Sequence, residues 1–375
     1  MLGLYIHIPF CSAICNYCNF NRGLLDTPLK ARYVDALVRD ISNHESRTPN
    51  HEADTIYFGG GTPSLLEPEE VARIIAACER TFDVARDREV TLEANPETVT
   101  EPRLRAYRDA GVNRISFGVQ SFREDELRRL SRLHNAQRAR DAVAEARAAG
   151  FDNVSIDLMM WLPEQSVEQW LESVDAAIAI SPEHISMYLL EVYPNAPLKD
   201  DMARAQWSQA PEDDAATMYE ASMERLEAAG YEQYEISNVA KPGRRAHHNV
   251  KYWTDGSWIG FGTGAHSTLA GVRSRNVSSA EEYVGRIQSG RSAVAEERRL
   301  SDEERLGDVL FTGLRLAEGL DLDMLRQRYG VDVWARFGAE LAPFVAAGCL
   351  LHEGSRLRLT RRGMLVANDV MAVFV

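Results

Sequence analysis

Along the first 230 residues, short apolar runs alternate with segments whose apolar positions recur at helical spacing. "LGLYIHIPF" (2–10) reads as a strand that delivers Cys11 at its carboxyl end. The following "LKARYVDALVRDISNH" places Tyr33, Leu37, Val38 and Ile41 on one helical face. "ADTIYFGGG" then precedes a helix near 67–82, and "REVTLEAN" one near 101–110. "NRISFGV" precedes helical stretches near 124–149, "DNVSIDLMM" one near 166–180, and "EHISMYLLEV" one near 212–229. Six strand–helix units predict parallel strands joined by right-handed crossovers. Gly111, Gly150 and Gly230 stand where helices end before the next strand. Six units are too few for a closed eight-stranded barrel, so the expected α/β fold is a partial (β/α)6 barrel or an open sheet. The nearly continuous Val/Ile/Leu strands predict burial on both faces.

The pattern changes after residue 230. "YEQYEISNVA" and "SWIGFGTGAHSTLAGVRSRN" read as short strands and glycine-rich loops, with no helix expected between them. From 301 helical spacing returns in "DEERLGDVLFTGLRLAE", "DMLRQRYG" and "VWARFGAELAPFVAAG". A hairpin, "LLHEGSRLRLT", and a last helix follow, which together suggest a winged-helix-like module. The expected organisation is therefore a barrel over 1–230, a mixed strand and loop extension over 231–300, and the C-terminal module over 301–375. Arg356, Arg358, Arg361 and Arg362 cluster on or after the hairpin, a pattern also found in nucleic-acid readers. The otherwise even charge balance there favours a packing or lid role.

Composition narrows the setting. The chain has 375 residues, 45% of them hydrophobic, enough for a large core. A net charge of −14 argues against nucleic acid as a partner. No run of apolar residues is long enough to span a membrane, and no secretory leader pattern is present; peripheral membrane contact is left open. Five cysteines are an odd number, and Cys78 and Cys349 fall in stretches that read as helical core. A disulfide framework is not expected, and the reading is a reducing cytoplasm.

The remaining three cysteines lie in "FCSAICNYCNF", where Cys11, Cys15 and Cys18 form C-x3-C-x2-C. They could be buried small hydrophobes, or a zinc site with His7 as fourth ligand, although structural zinc sites usually draw on two separated pairs. A third reading is an iron–sulfur cluster whose fourth iron has no protein ligand and is open to a cofactor or substrate. The loop follows the first strand at the carboxyl end, where α/β proteins place their ligands.

The segment "YIHIPFCSAICNYCNF" resembles the signature of the radical S-adenosylmethionine (SAM) superfamily. Within it the likeness is to the branch that holds anaerobic coproporphyrinogen III oxidase and the HemW-type heme chaperones. The resemblance implies that Cys11, Cys15 and Cys18 hold a [4Fe-4S] cluster, with the amino and carboxylate groups of SAM chelating the fourth iron. An electron from the reduced cluster would then cleave the sulfonium to methionine and a 5′-deoxyadenosyl radical. Cys78 and Cys349 are not expected to take part.

"YFGGGTPSLL" is similar to the branch's GGGTP motif that receives the SAM amino group, which implies roles for Gly60, Gly61 and Thr62. Its missing side chains would let backbone N–H groups approach a ligand. Glu93, Gln120 and Asp157 end the third, fourth and fifth strands, where buried polar groups are costly unless they face a site. The resemblance makes these three SAM contacts, together with Arg132, and places Tyr5 and Tyr17 beside cluster and cofactor. The branch's D-L-(M/I)-Y-G-L-P-G-Q reads "DLMMWLPEQ" here, so Trp161 and Glu164 replace two glycines near the expected cavity.

Two functions are implied: a heme chaperone that binds heme and delivers it to acceptor proteins, or the oxidase, a radical decarboxylase of coproporphyrinogen III. The oxidases carry a further cysteine where this chain has Phe20, and an arm ahead of the first strand. "HHNVKYW" contains His248, Asn249, Tyr252 and Trp253 in the H-N-x-x-Y-W pattern of the chaperones. A neutral imidazole can ligate heme iron and aromatic rings can pack on a porphyrin face. His247, His248 and His266 are the candidate ligands. The expectation is the chaperone, with the cluster, SAM and heme as cofactors and an electron donor as partner. Whether SAM cleavage belongs to its turnover is left open.

Overall fold

The computed structural model describes residues 1–46 and 52–374. Six strands, β1 (Leu2–Ile8), β2 (Glu52–Gly60), β3 (Asp83–Ala94), β4 (Arg114–Gln120), β5 (Val154–Met160) and β6 (His184–Leu189), lie side by side in chain order. Every neighbouring pair among them is parallel. The crossovers carry helices α1 (Thr27–Ser42), α2 (Pro68–Thr81), α3 (Glu101–Asp109), α4 (Glu124–Arg129), α5 (Ala136–Ala148) and α6 (Val167–Ile180). After β6 come α7 (Pro197–Ala205) and α8 (Glu212–Ala228). α1 packs on α2, α2 on α3, α3 on α5, and α6 on α8. Two distinct helices occupy 124–149, because Ser131 takes φ 54° and the Asn135 side chain caps α5.

Each strand has two different faces. Leu4, Ile6, Ile56, Phe58, Val90, Leu92, Ile115, Phe117, Val154, Ile156 and Ile185 are fully buried in the main apolar core. The alternate positions are polar. In register they run Tyr5–Tyr57–Thr91–Arg114, with Ser116 opposite Ser155 and Ser155 opposite His184. The expectation of burial on both faces is therefore corrected: the outer face is fully buried, but the inner face is a polar interior whose Tyr5, Tyr57, Glu93 and Asp157 are only half-buried.

The sheet does not close. β9 (Ser257–Phe261) adds parallel to β1. Antiparallel β10 (His266–Leu269), β11 (Val272–Asn276) and β12 (Val294–Arg299) extend that edge. β7 (Glu232–Glu235) and β8 (Asn238–Ala240) extend the β6 edge, giving twelve strands. Residues 231–300 thus prolong the barrel sheet at both ends.

That segment also holds two helices where none was expected, α9 (His247–Trp253) and α10 (Ala280–Gln288). α9 has no cap of its own; the Glu89 carboxylate on β3 accepts from the His247 and His248 backbone N–H groups, each at 3.1 Å. Tertiary contacts of this kind are invisible to local pattern.

The C-terminal module contains α11 (Asp302–Gly313), α12 (Leu322–Tyr329) and α13 (Val333–Ala346). A small sheet orders β13 (Leu320–Asp321), β15 (Arg356–Leu359) and β14 (Leu350–Glu353), and α14 (Arg361–Leu365) and α15 (Ala367–Met371) follow. Arg356 pairs with Asp321, Arg358 with Glu353, and Arg361 with Glu227 of α8. The arginine cluster is met by carboxylates, one of which ties the module to the barrel.

Candidate functional site

A cavity of about 440 Å³ opens at the carboxyl ends of the parallel strands. The chain leaves β1 into a short parallel pair, Phe10–Cys11 against Gly23–Leu24, and the loop between them carries the cysteines. Asn16 pins this loop by donating to Arg129 O and to Asp201 Oδ2, both at 2.8 Å. Arg22 donates to the Cys18 carbonyl, and Arg132 Nη1 to Cys15 Sγ at 3.3 Å. Cys11, Cys15 and Cys18 all line the cavity. Burial raises the Cys11 thiol pKa, and the nearby Cys18 and Cys15 add to the rise.

Among the described residues no three His, Cys, Asp or Glu side chains converge as they would round one ion. His7 does not complete a zinc site: it shares hydrogen bonds with the Tyr5 hydroxyl at 3.0 Å and the Asn21 carbonyl at 2.8 Å. Three thiols spread along one wall suit a cluster of four irons, which holds its ligands further apart than a single ion does. Cys78 is buried in α2 and Cys349 near the hairpin, both away from this wall.

Beside the cysteine loop lies the glycine segment. Gly60 takes φ +112°, and a Cβ there would come within 2.5 Å of the His7 ring; at Gly61 it would meet Phe10 O at 2.7 Å. The segment does not offer N–H groups to a ligand. Gly60 N donates to Glu93, Gly61 N to Ile8 O, and Thr62 N to Phe10 O. These bonds fasten it to the cysteine loop, so what it can present is carbonyl oxygen, an acceptor suited to an ammonium group.

Glu93, Gln120 and Asp157 line the same cavity, with Tyr17, Thr62 and Arg132. The Tyr57 hydroxyl donates to Glu93 at 2.7 Å. Burial pushes the Glu93 carboxyl up to about 7, partly offset by Tyr57. Burial likewise pushes Asp157 up to about 6, against the Ser186 hydroxyl and the Arg114 charge. Gln120 adopts φ +68°, and its Oε1 is buried without a partner. Two carboxyls and a free amide oxygen fit a ligand that is cationic and carries hydroxyls, as SAM is and does. Arg132 is committed to Cys15, Asn95 Oδ1 and Gly118 O, and so locks the wall behind them.

Three expectations meet a different geometry. Tyr5 is half-buried in the polar interior, stacked 6.2 Å from Tyr57, and is not among the residues lining the cavity. Trp161 and Glu164 stand outside the cavity lining as well. Their φ values of 62° and 59° explain why glycine suits these positions. Trp161 Nε1 donates to Ala210 O, and Glu164 accepts from Ser208 N, contacts that offset the backbone strain.

The third concerns the H-N-x-x-Y-W motif. His248 is 1% exposed; its ring nitrogens share hydrogen bonds with Thr55 Oγ1 (2.8 Å) and Tyr252 OH (2.9 Å). Burial holds its imidazole down to about 3, so it is neutral but has no nitrogen to spare. Its partner Thr55 lies five residues before Gly60 on β2, about 16 Å along the strand. α9 therefore closes the amino-terminal end of the polar interior, opposite the cysteine loop. Trp253 lies under Arg315, 4.5 Å from the ring centroid to the guanidinium carbon. The motif therefore lies in the interior, with both His248 ring nitrogens already hydrogen-bonded. His247 and His266 are exposed, His266 on β10.

Sequence reasoning missed Arg114, 1% exposed, whose alternation with Ile115 was the available signal. It also missed the rim. Ile14, Phe20, Leu189 and Tyr193 line the cavity mouth and are exposed, Phe20 by 66%, an apolar patch open to solvent.

Residues 5–177 match the model of the radical SAM superfamily, and residues 300–366 that of the HemN C-terminal domain. The chain is 34% identical to the heme chaperone HemW of Bacillus subtilis, covering 100% of this chain and 99% of that one. It is 42% identical to the heme chaperone HemW of Escherichia coli over 72% of this chain and 70% of that one. The solved structure of coproporphyrinogen III oxidase (HemN) from Escherichia coli superposes with a TM-score of 0.88 at 22% identity. That match covers 100% of this chain and 89% of the other, and shows a common fold.

Proposed function

This chain belongs to the radical SAM superfamily and, within it, to the HemW family; from that premise we propose that it binds heme and passes it to acceptor proteins. The observation that carries the reading is the likeness to relatives named heme chaperone HemW over essentially the whole of both chains. The apolar rim around the mouth supports it, since a flat hydrophobic macrocycle needs such a surface.

In this reading Cys11, Cys15 and Cys18 hold a [4Fe-4S] cluster. Gly60, Gly61, Thr62, Glu93, Gln120, Asp157 and Tyr17, which line the cavity, would hold SAM. The bound group supplies one-electron chemistry at the sulfonium. The protein's part is to hold the cysteine loop through Asn16 and to keep two carboxyl groups beside the cationic ligand. An electron donor to the cluster and a heme acceptor are the partners implied. The oxidase reading has Phe20 against it, where the oxidases carry a further cysteine.

Anaerobic reconstitution, heme titration by absorbance and product analysis with coproporphyrinogen III test the proposal together. Saturable heme binding without protoporphyrinogen IX supports it; repeated decarboxylation overturns it.

A further inference from the structure

The polar interior below the cavity contains a cation that neither the cysteine loop nor the rim accounts for. Arg114 stands opposite Thr91 in register, and Glu93 stands opposite Ser116 one pleat nearer the cavity. Asp157 follows on the next strand, opposite Gly118. Arg114 is 1% exposed, and among the described residues it makes no direct ion pair; its Nε and the Thr91 Oγ1 beside it are both buried without partners.

A buried guanidinium without an ion pair is costly unless it serves something. Lys251 on α9 also borders this interior, but it is paired with Asp54 at 2.7 Å. His184 and His248 are both held neutral by burial; Arg114 opposes protonation of His184, and Lys251 and then Arg114 oppose that of His248. Tyr5, Tyr57, Tyr188 and Tyr252 face Glu93, and burial keeps each phenol uncharged. The Arg114 charge lowers both the Glu93 and the Asp157 carboxyl pKa against burial, and Arg132 lowers that of Asp157 as well.

We propose that Arg114 is a positioning residue of this cavity: its guanidinium, set one layer below Glu93 and Asp157, favours the carboxylate form of each for a cationic ligand. Because Arg114 is itself buried, its charge acts across the gap without direct contact. The inference rests on the reading that the cavity takes SAM.

The experiment measures the SAM dissociation constant from pH 5.5 to 8.5 on reconstituted wild type, Arg114→Met and Arg114→Lys, with iron content and circular dichroism recorded for each. Arg114→Met should weaken binding about tenfold at pH 7, the effect of about one unit in carboxyl pKa, and recover most of it at pH 8.5. Arg114→Lys should keep the wild-type midpoint. If Arg114→Met does not fold, Arg114→Gln, which keeps donors but not the charge, carries the same prediction. A wild-type pH profile in a cluster-loaded neutral variant overturns the inference, as does a loss of affinity equal at every pH. Wild type that binds no SAM at any pH overturns the cofactor reading itself.

Discussion

Replacing His248 by alanine separates the two roles that the H-N-x-x-Y-W motif could have. The imidazole bridges Thr55 Oγ1 and Tyr252 OH and stacks on Tyr57 at 5.0 Å. Deleting it leaves two hydroxyls without partners, at about 1 kcal/mol each. The lost ring volume adds about 1–2 kcal/mol. The expected destabilisation is therefore about 3–4 kcal/mol, large for one substitution. Urea denaturation followed by circular dichroism should show the fall in midpoint. Heme titrated into the same variant should give the wild-type absorbance maximum. His248→Asn, whose amide can replace Nδ1 toward Thr55, should recover part of the stability. Acid should mimic part of the loss. The folded imidazole titrates near 3 against 6.5 unfolded, so its contribution is present above about 6.5 and declines as pH falls toward 3. A His248→Ala protein of unchanged stability with a shifted heme spectrum would refute this account of α9.

The remaining predictions concern the cavity and its supports. Cys15→Ala should lose the cluster, read as iron and sulfide content and as the EPR signal of the reduced protein, whereas Cys78→Ala should keep about four irons. Wild-type SAM affinity should rise from pH 5.5 to 8 as Asp157 (about 6) and Glu93 (about 7) ionise; Glu93→Gln should flatten the upper part of that curve, measured by equilibrium dialysis. Trp161→Gly relieves the left-handed φ but removes the Ala210 bond, so SAM affinity should stay within about twofold and thermal stability should change by about 1 kcal/mol or less.

The strand–helix alternation was legible because each unit repeats the same local pattern and glycine marks its helix ends, as at Gly111 and Gly150. The cysteine loop and the polar residues of the strands were legible for a similar reason: Glu93, Gln120 and Asp157 interrupt or end apolar runs, although Asp157 stands in the middle of its strand rather than at its end. The polar inner face was read less well. Tyr57, Thr91, Arg114 and Ser155 each stand singly between apolar neighbours, and only the register between strands gathers them into one interior. α9 was hidden because its N-terminus is satisfied by Glu89, 158 residues away in sequence from His247. The glycine segment was found, but not what it offers. Its N–H groups are committed to Ile8 and Phe10 carbonyls, a pairing set by how two loops meet rather than by composition. Trp161 and Glu164 illustrate the reverse case, in which a departure in sequence leaves the cavity lining untouched.

The central claim is that this radical SAM barrel serves heme delivery, and heme transfer tests it most directly. Reconstituted protein loaded with heme and freed of excess by gel filtration should be mixed anaerobically with an apo-cytochrome acceptor, and the absorbance spectrum followed. The account predicts that heme stays with the protein through filtration, moves to the acceptor on mixing, and leaves the iron–sulfur cluster intact. Failure to retain or transfer heme, together with steady conversion of coproporphyrinogen III to protoporphyrinogen IX by the same preparation, would contradict it.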